Sequence, residues 1–275
     1  MKKKLHKVNK PVLLVLLLGS LLMIFPFVWV VLSSFKTVAD VYAYPPKWLP
    51  SSWKFSNYAT VFEMIPFARY YVNSIYTSVM QTALQLGISV TAAYALVVLD
   101  FPGKKILFSV VRSTMFVPTI VILIPMYLMV SKVHLIDTYA GIILPQIFTA
   151  FTIFLLVSFF RSIPHDLYDS AKLDGCGYYR ILSHVVIPNA SSAISTAMLF
   201  SFLGHWKSYT WPLIVTNKQQ YRTLPIGMKY LVQESSSEYQ VMMAASVMAI
   251  LPVLIVFMIF EKQLVKSITL TGLKA

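Results

Sequence analysis

The fold of this chain is decided by the stretch VLLVLLLGSLLMIFPFVWVVL at residues 12–32, which contains no charged side chain. A helix crosses about 30 Å of hydrocarbon with about 20 predominantly apolar residues, so this stretch is long enough to span a membrane. A secretory signal peptide has a shorter apolar core of about 7–15 residues, and its small-residue cleavage site is not found here. We therefore predict that residues 12–32 lie in a retained first transmembrane helix.

Five further stretches have similar length and apolarity, and the composition agrees with a membrane protein. Of all residues, 57% are hydrophobic and 12% are charged, against about 25% charged in an average soluble domain. We predict an all-α fold, a polytopic transmembrane helical bundle of about six spans, in a single domain over residues 1–275, with an outer loop at about residues 35–70. The predicted spans are residues 11–34, 71–99, 106–131, 139–160, 191–215 and 240–260.

The positive charges of the chain are concentrated at its beginning. The formal net charge is +13, and five lysines precede the first apolar run. This placement fits attraction to anionic lipid and the positive-inside rule, whereas nucleic-acid binding calls for a basic patch on a folded surface. We predict contact with the lipid bilayer, no nucleic-acid partner and, because the number of spans is even, both termini in the cytoplasm. The five lysines are Lys2, Lys3, Lys4, Lys7 and Lys10.

Residue types that carry catalysis or bind metals form no recognisable set. Cys176 is the only cysteine, which excludes an internal disulfide and a cysteine-based metal cage. The histidines lack metal-ligand spacing, and no serine, histidine and carboxylate set stands out. The glycines supply no G-x-x-x-x-G-K-[ST] phosphate cradle. We predict no catalytic residue, no metal site and no cofactor in this chain.

The longest cytoplasmic segment joins the fourth and fifth predicted spans and begins RSIPHDLYDSAKLDGCGYYR at residues 161–180. Pro164 suits the first turn of a helix, where its missing N–H is no loss. Gly175 and Gly177 are expected to end that helix, since glycine takes the left-handed conformation that other residues avoid. A second short helix is predicted from Tyr178 to Val186, ending before Pro188. Such a rigid projection into the cytosol indicates a docking site for a protein partner.

This segment resembles the coupling loop of ABC importer permeases, usually written E-A-A-x-x-D-G-A and closed by I-x-L-P. The sequence departs from that pattern with Asp, Ser and Cys at the places of Glu, Ala and Ala. Further stretches resemble the carbohydrate-uptake branch, in the style of the second maltose permease, among them Asn73-Ser74 and Ala93-Tyr94-Ala95-Leu96. The resemblance assigns the coupling loop to about residues 161–190. The residues it implies for contact with the ATPase are Asp169, Ser170, Ala171, Asp174, Gly175, Cys176 and Pro188.

The resemblance implies a permease subunit of an ATP-driven importer for sugars or oligosaccharides in the inner, cytoplasmic membrane of a bacterium. It implies partnership with a second homologous permease, two ATPase subunits and an extracytoplasmic solute-binding protein. ATP and Mg would be bound by the partner ATPase, so the chain itself is expected to be a transport subunit and no enzyme.

Lys207 is a charged residue inside a predicted span, where a charge requires a partner. It lies about eight residues, or roughly 12 Å, from the outer end of the fifth predicted span. The predicted spans contain no Asp or Glu to pair with it. We predict a candidate substrate path of His205, Trp206, Lys207 and Trp211, in which Lys207 either favours an anionic sugar or contacts the sister permease.

Other functions stay open at this point. The same machinery can import another solute, such as glycerol phosphate or a polyamine, with the coupling loop kept and the cavity changed. A secondary transporter would need intramembrane carboxylates and usually two related halves, and a membrane enzyme or receptor would need convergent titratable groups or a sensor domain.

Overall fold

The computed structural model describes residues 10–234 and 238–272, and every regular element in this part of the chain is helical. The all-α prediction is therefore confirmed. Its α-helices are α1 (Lys10–Ser33), α2 (Val38–Val41), α3 (Ser56–Met64), α4 (Phe67–Val98), α5 (Lys104–Ser113), α6 (Thr119–Lys132), α7 (Tyr139–Ile143), α8 (Ala150–Phe160), α9 (His165–Leu173), α10 (Tyr178–Ile181), α11 (Ile187–Asn189), α12 (Ser191–Trp206), α13 (Thr210–Val215), α14 (Leu224–Glu234) and α15 (Tyr239–Gly272).

Three of these helices are long and apolar enough to cross a membrane, and the number rises to six if each bent pair forms one span. The three single helices are Lys10–Ser33, Phe67–Val98 and, within α15, Tyr239–Gln263. The bent pairs are Lys104–Phe116 with Thr119–Lys132, Tyr139–Gln146 with Ala150–Phe160, and Tyr178–Asn189 with Ser191–Trp206.

Four predicted elements differ from those observed. The third and fourth predicted spans, residues 106–131 and 139–160, are bent pairs with breaks at residues 117–118 and 147–149. The fifth predicted span, residues 191–215, is interrupted, because α12 ends at Trp206 and α13 begins at Thr210. The second helix of the coupling loop does not end before Pro188. A π turn at Leu182–Val186 leads into α11, and Pro188 lies in the first turn of α11, where its missing N–H costs no hydrogen bond.

The described residues divide into two compact units. Unit 1 comprises residues 10–67, 228–234 and 238–251, and unit 2 comprises residues 68–227 and 252–272. In unit 1 the side chains of residues 10–28 in α1 are exposed, as expected of a helix that faces lipid, and Ser33 at its end is buried.

The segment of unit 1 that follows α1 is organised by the buried carboxylate of Asp40. Asp40 and Thr37 form a capping box at the start of α2, in which each side chain bonds the backbone N–H of the other residue. Lys47 Nζ lies 2.9 Å from the carboxylate, and the Ser51 hydroxyl donates to it at 2.6 Å. The hydrogen bonds from Lys47 and Ser51 hold the pKa of Asp40 well below its ordinary value.

Replacing Asp40 with Asn is expected to loosen residues 37–51, because an amide cannot match a carboxylate that accepts from Lys47 and Ser51. In the unaltered chain the stabilisation is complete above the ordinary pKa of 3.8 and is lost as pH falls through the lowered folded-state pKa. Hydrogen exchange of this segment, corrected for intrinsic rates, should rise on acidification in the unaltered chain and be high at every pH in Asp40→Asn. Equal protection in the two proteins at neutral pH would contradict this.

The architecture of unit 2 is set by a buried polar face on α4. Polar residues recur at every fourth position, so they lie along one side of the helix. Every member has a relative exposure of at most 5%. The members of this polar face are Asn73, Ser74, Thr77, Ser78, Gln81, Thr82, Gln85 and Ser89.

The hydrogen bonds of this face connect α4 to segments far along the chain. Asn73 Nδ2 donates to the carbonyls of Gln220 and Arg222, each at 2.8 Å. Ser74 Oγ accepts from the backbone N–H of Leu224 at 2.7 Å. Lower on the helix, Gln81 Nε2 donates to the Ile142 carbonyl at 3.0 Å. These bonds fix the register of α4 against α7 and the segment that precedes α14.

Candidate functional site

The coupling loop begins with α9, which ends in a Schellman motif. Gly175 has a φ of 76°, in the left-handed region. Its N–H donates to the Lys172 carbonyl at 3.0 Å, and the N–H of Cys176 donates to the Ala171 carbonyl at 2.9 Å. These two bonds satisfy the last carbonyls of the helix. The sequence prediction that glycine ends this helix is therefore confirmed at Gly175, whereas Gly177 has a φ of −71°.

The inner face of the coupling loop packs into the hydrophobic core of unit 2. Tyr168, Ile181 and Val186 are buried in that core together with residues of α4 and α8. The Tyr168 hydroxyl donates to the Phe160 carbonyl at 3.2 Å, at the end of α8. Burial, with a smaller contribution from Tyr94, raises the pKa of Tyr168 above its ordinary value of 10.0. Tyr168 therefore keeps its donor proton at neutral pH.

One hydrogen bond links the loop directly to α4. The Tyr94 hydroxyl donates to the Tyr178 carbonyl at 3.0 Å, where α10 begins. Because α4 is continuous between Gln85 and Tyr94, the two residues are carried by one helix about 13 Å apart at 1.5 Å per residue.

The outer face of the loop exposes three large side chains. Leu173 is 89% exposed, Tyr179 is 83% exposed and Tyr178 is 64% exposed. Adjacent exposed apolar side chains on a rigid turn indicate a protein contact surface. The sequence analysis did not single these residues out for contact, although they flank Gly175 closely.

The predicted ATPase-coupling residues lie on the same loop with different exposures. Asp169 forms an exposed ion pair with Lys172 at 3.8 Å. Ala171 is buried, and Cys176 is half-buried against the core. The exposed members are Asp169, Ser170, Asp174, Gly175 and Pro188.

Substituting Gly175 with Ala is expected to destabilise the end of α9 by about 1–2 kcal/mol, because an L-residue resists the left-handed conformation. No atom lies within 4 Å of a Cβ placed at Gly175, so the effect is that of the backbone alone. Hydrogen exchange of residues 165–181 should rise in Gly175→Ala, with Gly175→Asn intermediate.

Gly177→Ala is the matched control, since a Cβ there also meets nothing within 4 Å and its φ is negative. Exchange in this variant should stay at the level of the unaltered protein. An equal increase for both alanine variants would rule out the left-handed turn as the cause.

A second feature of unit 2 is a cavity of about 700 Å³, which we call the Gln85 cavity. Its wall includes side chains of α4, α6, α8 and α12. Gln85 Nε2 donates to Thr152 Oγ1 at 2.7 Å and to Ser201 Oγ at 2.9 Å. His205 Nε2 lies 2.7 Å from Gln85 Oε1, and because an amide oxygen only accepts, Nε2 is the donor.

The four residues predicted for a substrate path occupy different surroundings. His205 lines the Gln85 cavity. Trp206 is buried, and its ring centroid lies 5.9 Å from that of Phe202. The indole N–H of Trp211 donates to the carbonyls of Gly141 and Ile142, each at 3.2 Å. Lys207 is exposed at the end of α12 and does not line the cavity.

Sequence reasoning missed Gln85, Thr152 and Ser201. The available signal was the recurrence of polar residues at every fourth position from Asn73 to Ser89, which is unusual for a span that faces lipid on all sides. Among residues 10–234 and 238–272, no three His, Cys, Asp or Glu side chains come together as metal ligands.

Several helices long and apolar enough to cross a membrane, a loop with exposed apolar side chains and a partly polar cavity are features of a membrane-spanning transport subunit. Residues 85–270 match the family described as "Binding-protein-dependent transport system inner membrane component". The chain belongs to this family.

Individual relatives agree with that assignment. The chain is 31% identical to the Diacetylchitobiose uptake system permease protein NgcG of Streptomyces coelicolor, over 92% of this chain and 85% of the relative. It is 33% identical to the Arabinooligosaccharides transport system permease protein AraQ of Bacillus subtilis, over 93% of this chain and 92% of the relative.

A solved structure shares the fold. The chain is similar, with a TM-score of 0.81 and 25% identity, to a chain of a bacterial ABC transporter involved in the import of the acidic polysaccharide alginate. The similarity covers 95% of this chain and 98% of that one. The chain is thus a multi-pass permease subunit of an ABC importer and no enzyme, and the ion-driven secondary transporter is set aside.

Proposed function

We propose that this chain forms half of the translocation path of an ATP-driven importer for sugars or oligosaccharides. The observation that carries the proposal is the exposed Leu173 and Tyr179 pair on a loop whose other face is packed into the core of unit 2. The names of the relatives, which refer to diacetylchitobiose and arabinooligosaccharides, support a carbohydrate as solute.

The remaining partners follow from the need for an energy source outside this chain. Two ATPase subunits bind ATP and Mg, and one of them docks on the coupling loop. A second, homologous permease completes the path, and an extracytoplasmic binding protein delivers the solute. Residues 1–275 act as one permease domain with both termini in the cytoplasm, in agreement with the lysines that precede α1.

The mechanism couples two events through α4. When the ATPase subunits close, the coupling loop moves with them and carries α4 along through the Tyr94 hydroxyl and the buried Tyr168, Ile181 and Val186. The same helix holds Gln85 in the cavity, so the movement changes access to the cavity. Transport is then a shift between two packings of the helices.

Within this scheme the predicted site residues take two roles. Seven of them, on the coupling loop, form the surface and the backbone of the ATPase contact. These are Asp169, Ser170, Ala171, Asp174, Gly175, Cys176 and Pro188. His205 lies on the solute path as part of the Gln85 cavity. For Trp206, Lys207 and Trp211 a place on that path stays a prediction.

Removing the exposed Tyr179 ring should weaken docking of the ATPase, because a partly buried aromatic side chain at the centre of an interface commonly contributes about 1–3 kcal/mol. Tyr179→Ser and Leu173→Ser are therefore expected to lower the amount of ATPase that co-purifies with the permease pair about tenfold each.

Tyr44→Ser is the matched control, since Tyr44 is 96% exposed in the outer loop and its replacement removes an equal ring from a different surface. ATPase recovery with this variant should equal that of the unaltered protein. Full recovery with both Tyr179→Ser and Leu173→Ser would show that the ATPase docks elsewhere.

A further inference from the structure

The chemistry of the Gln85 cavity indicates which solutes it can hold. Twenty residues line it, and none of them is Lys, Arg, Asp or Glu. Its polar groups are hydroxyls, amides and one imidazole, contributed by side chains such as Thr149, Gln146 and His205. Its volume of about 700 Å³ lies within the range of about 300–1,000 Å³ that is typical of small-molecule sites.

We propose that the Gln85 cavity binds a neutral, hydroxyl-rich sugar and disfavours uronates and phosphorylated solutes. This inference rests on the proposed function and adds the class of solute. It also gives this permease a solute site of its own, so that the path need not rely on the sister permease for every contact.

The first argument is the match between hydroxyl groups and the buried polar network. Thr152 and Ser201 are 4% and 7% exposed, and each accepts a hydrogen bond from Gln85, so each keeps a hydroxyl proton to donate. His205 donates through Nε2, which leaves Nδ1 of the neutral ring as an acceptor. A sugar hydroxyl both donates and accepts, so it complements donors and acceptors that stand side by side.

The second argument is the aromatic part of the wall. Phe148, Phe151 and Phe200 line the cavity and are 52%, 49% and 56% exposed. Flat apolar ring faces pack well against the C–H faces of pyranose and furanose rings, while the sugar hydroxyls point outward to polar groups. Recognition sites for small molecules combine apolar walls with a few polar groups in this way.

The third argument is the cost of an unpaired charge. A carboxylate or phosphate that leaves water for a site without a counter-charge loses solvation that neutral hydroxyl and amide groups replace only in part. The cavity wall offers no cation to compensate, since Lys207 lies outside it. An acidic sugar is therefore expected to bind at least tenfold more weakly than a neutral sugar of equal size, tenfold corresponding to about 1.4 kcal/mol. In this respect the chain is expected to differ from the alginate importer that it resembles.

The single cysteine of the chain allows a direct test in the assembled importer, without the binding protein, in nanodiscs. Phe148→Cys places a second thiol in the cavity wall, and its rate of maleimide labelling is measured against that of the unaltered chain, whose single Cys176 is half-buried. The solutes are neutral di- and trisaccharides of the arabino, malto and chito series, oligogalacturonates of the same length, and sn-glycerol 3-phosphate. Ser52→Cys, exposed outside both the coupling loop and the cavity wall, is the control position.

At least one neutral series is expected to slow labelling of the Phe148→Cys variant several-fold at a concentration where the uronates and glycerol phosphate have no effect. Labelling of the Ser52→Cys variant should be unchanged by every solute. Adding Gln146→Lys to Phe148→Cys should then let the oligogalacturonates protect the cavity thiol, because the wall has gained a cation. Protection by an acidic solute equal to that by every neutral one would overturn the inference, as would protection by none.

The two proposals fail in different ways. If ATP-driven uptake of a neutral sugar occurs in proteoliposomes while no solute protects the cavity thiol, the site is refuted and the proposed function stands. If the assembled importer takes up none of the sugars and Tyr179→Ser leaves ATPase recovery unchanged, the proposed function is refuted.

Discussion

The polar face of α4 is the constraint on which unit 2 depends. Hydrocarbon offers no hydrogen bonds, so a helix that carries Asn73, Gln81 and Gln85 on one side must turn that side toward protein. The amide of Asn73 reaches the carbonyls of Gln220 and Arg222, and that of Gln81 reaches the carbonyl of Ile142. Apolar packing tolerates small rotations of a helix, whereas these directional bonds do not. Helix α4 therefore has one rotational setting, and the positions of the loop and the cavity both follow from it.

The same helix explains how one chain can serve two tasks at different depths. Its C-terminal end holds the coupling loop through a hydroxyl-to-carbonyl bond and shared core packing, and its middle contributes the amide that organises the cavity. The loop and the cavity are thus separated in space but joined by one continuous helix. In the proposed mechanism this helix carries the movement of the loop to the cavity.

Composition and apolar length were sufficient to predict an all-α membrane protein, and Gly175 was sufficient to predict the end of α9. These features depend on local rules: an uncharged run must be long enough for the bilayer, and a left-handed turn favours glycine. The break at residues 207–209 was not predicted, because a span recognised by its overall length and apolarity is not ended by one lysine. The place where α12 ends decides which of His205, Trp206 and Lys207 lines the cavity. This end depends on tertiary packing, which cannot be predicted from the length of a span.

The bond between the Tyr94 hydroxyl and the Tyr178 carbonyl has a consequence for protein engineering. Suppose that only the segment equivalent to residues 161–190 is transferred from a relative. The transferred segment then lacks its own partner for the Tyr94 position on α4 and the core residues that pack against Tyr168. Chimeric permeases meant to accept a foreign ATPase should therefore exchange the cytosolic end of α4 together with the loop. The transferable module is a surface defined by packing, and its borders do not coincide with those of a continuous stretch of sequence.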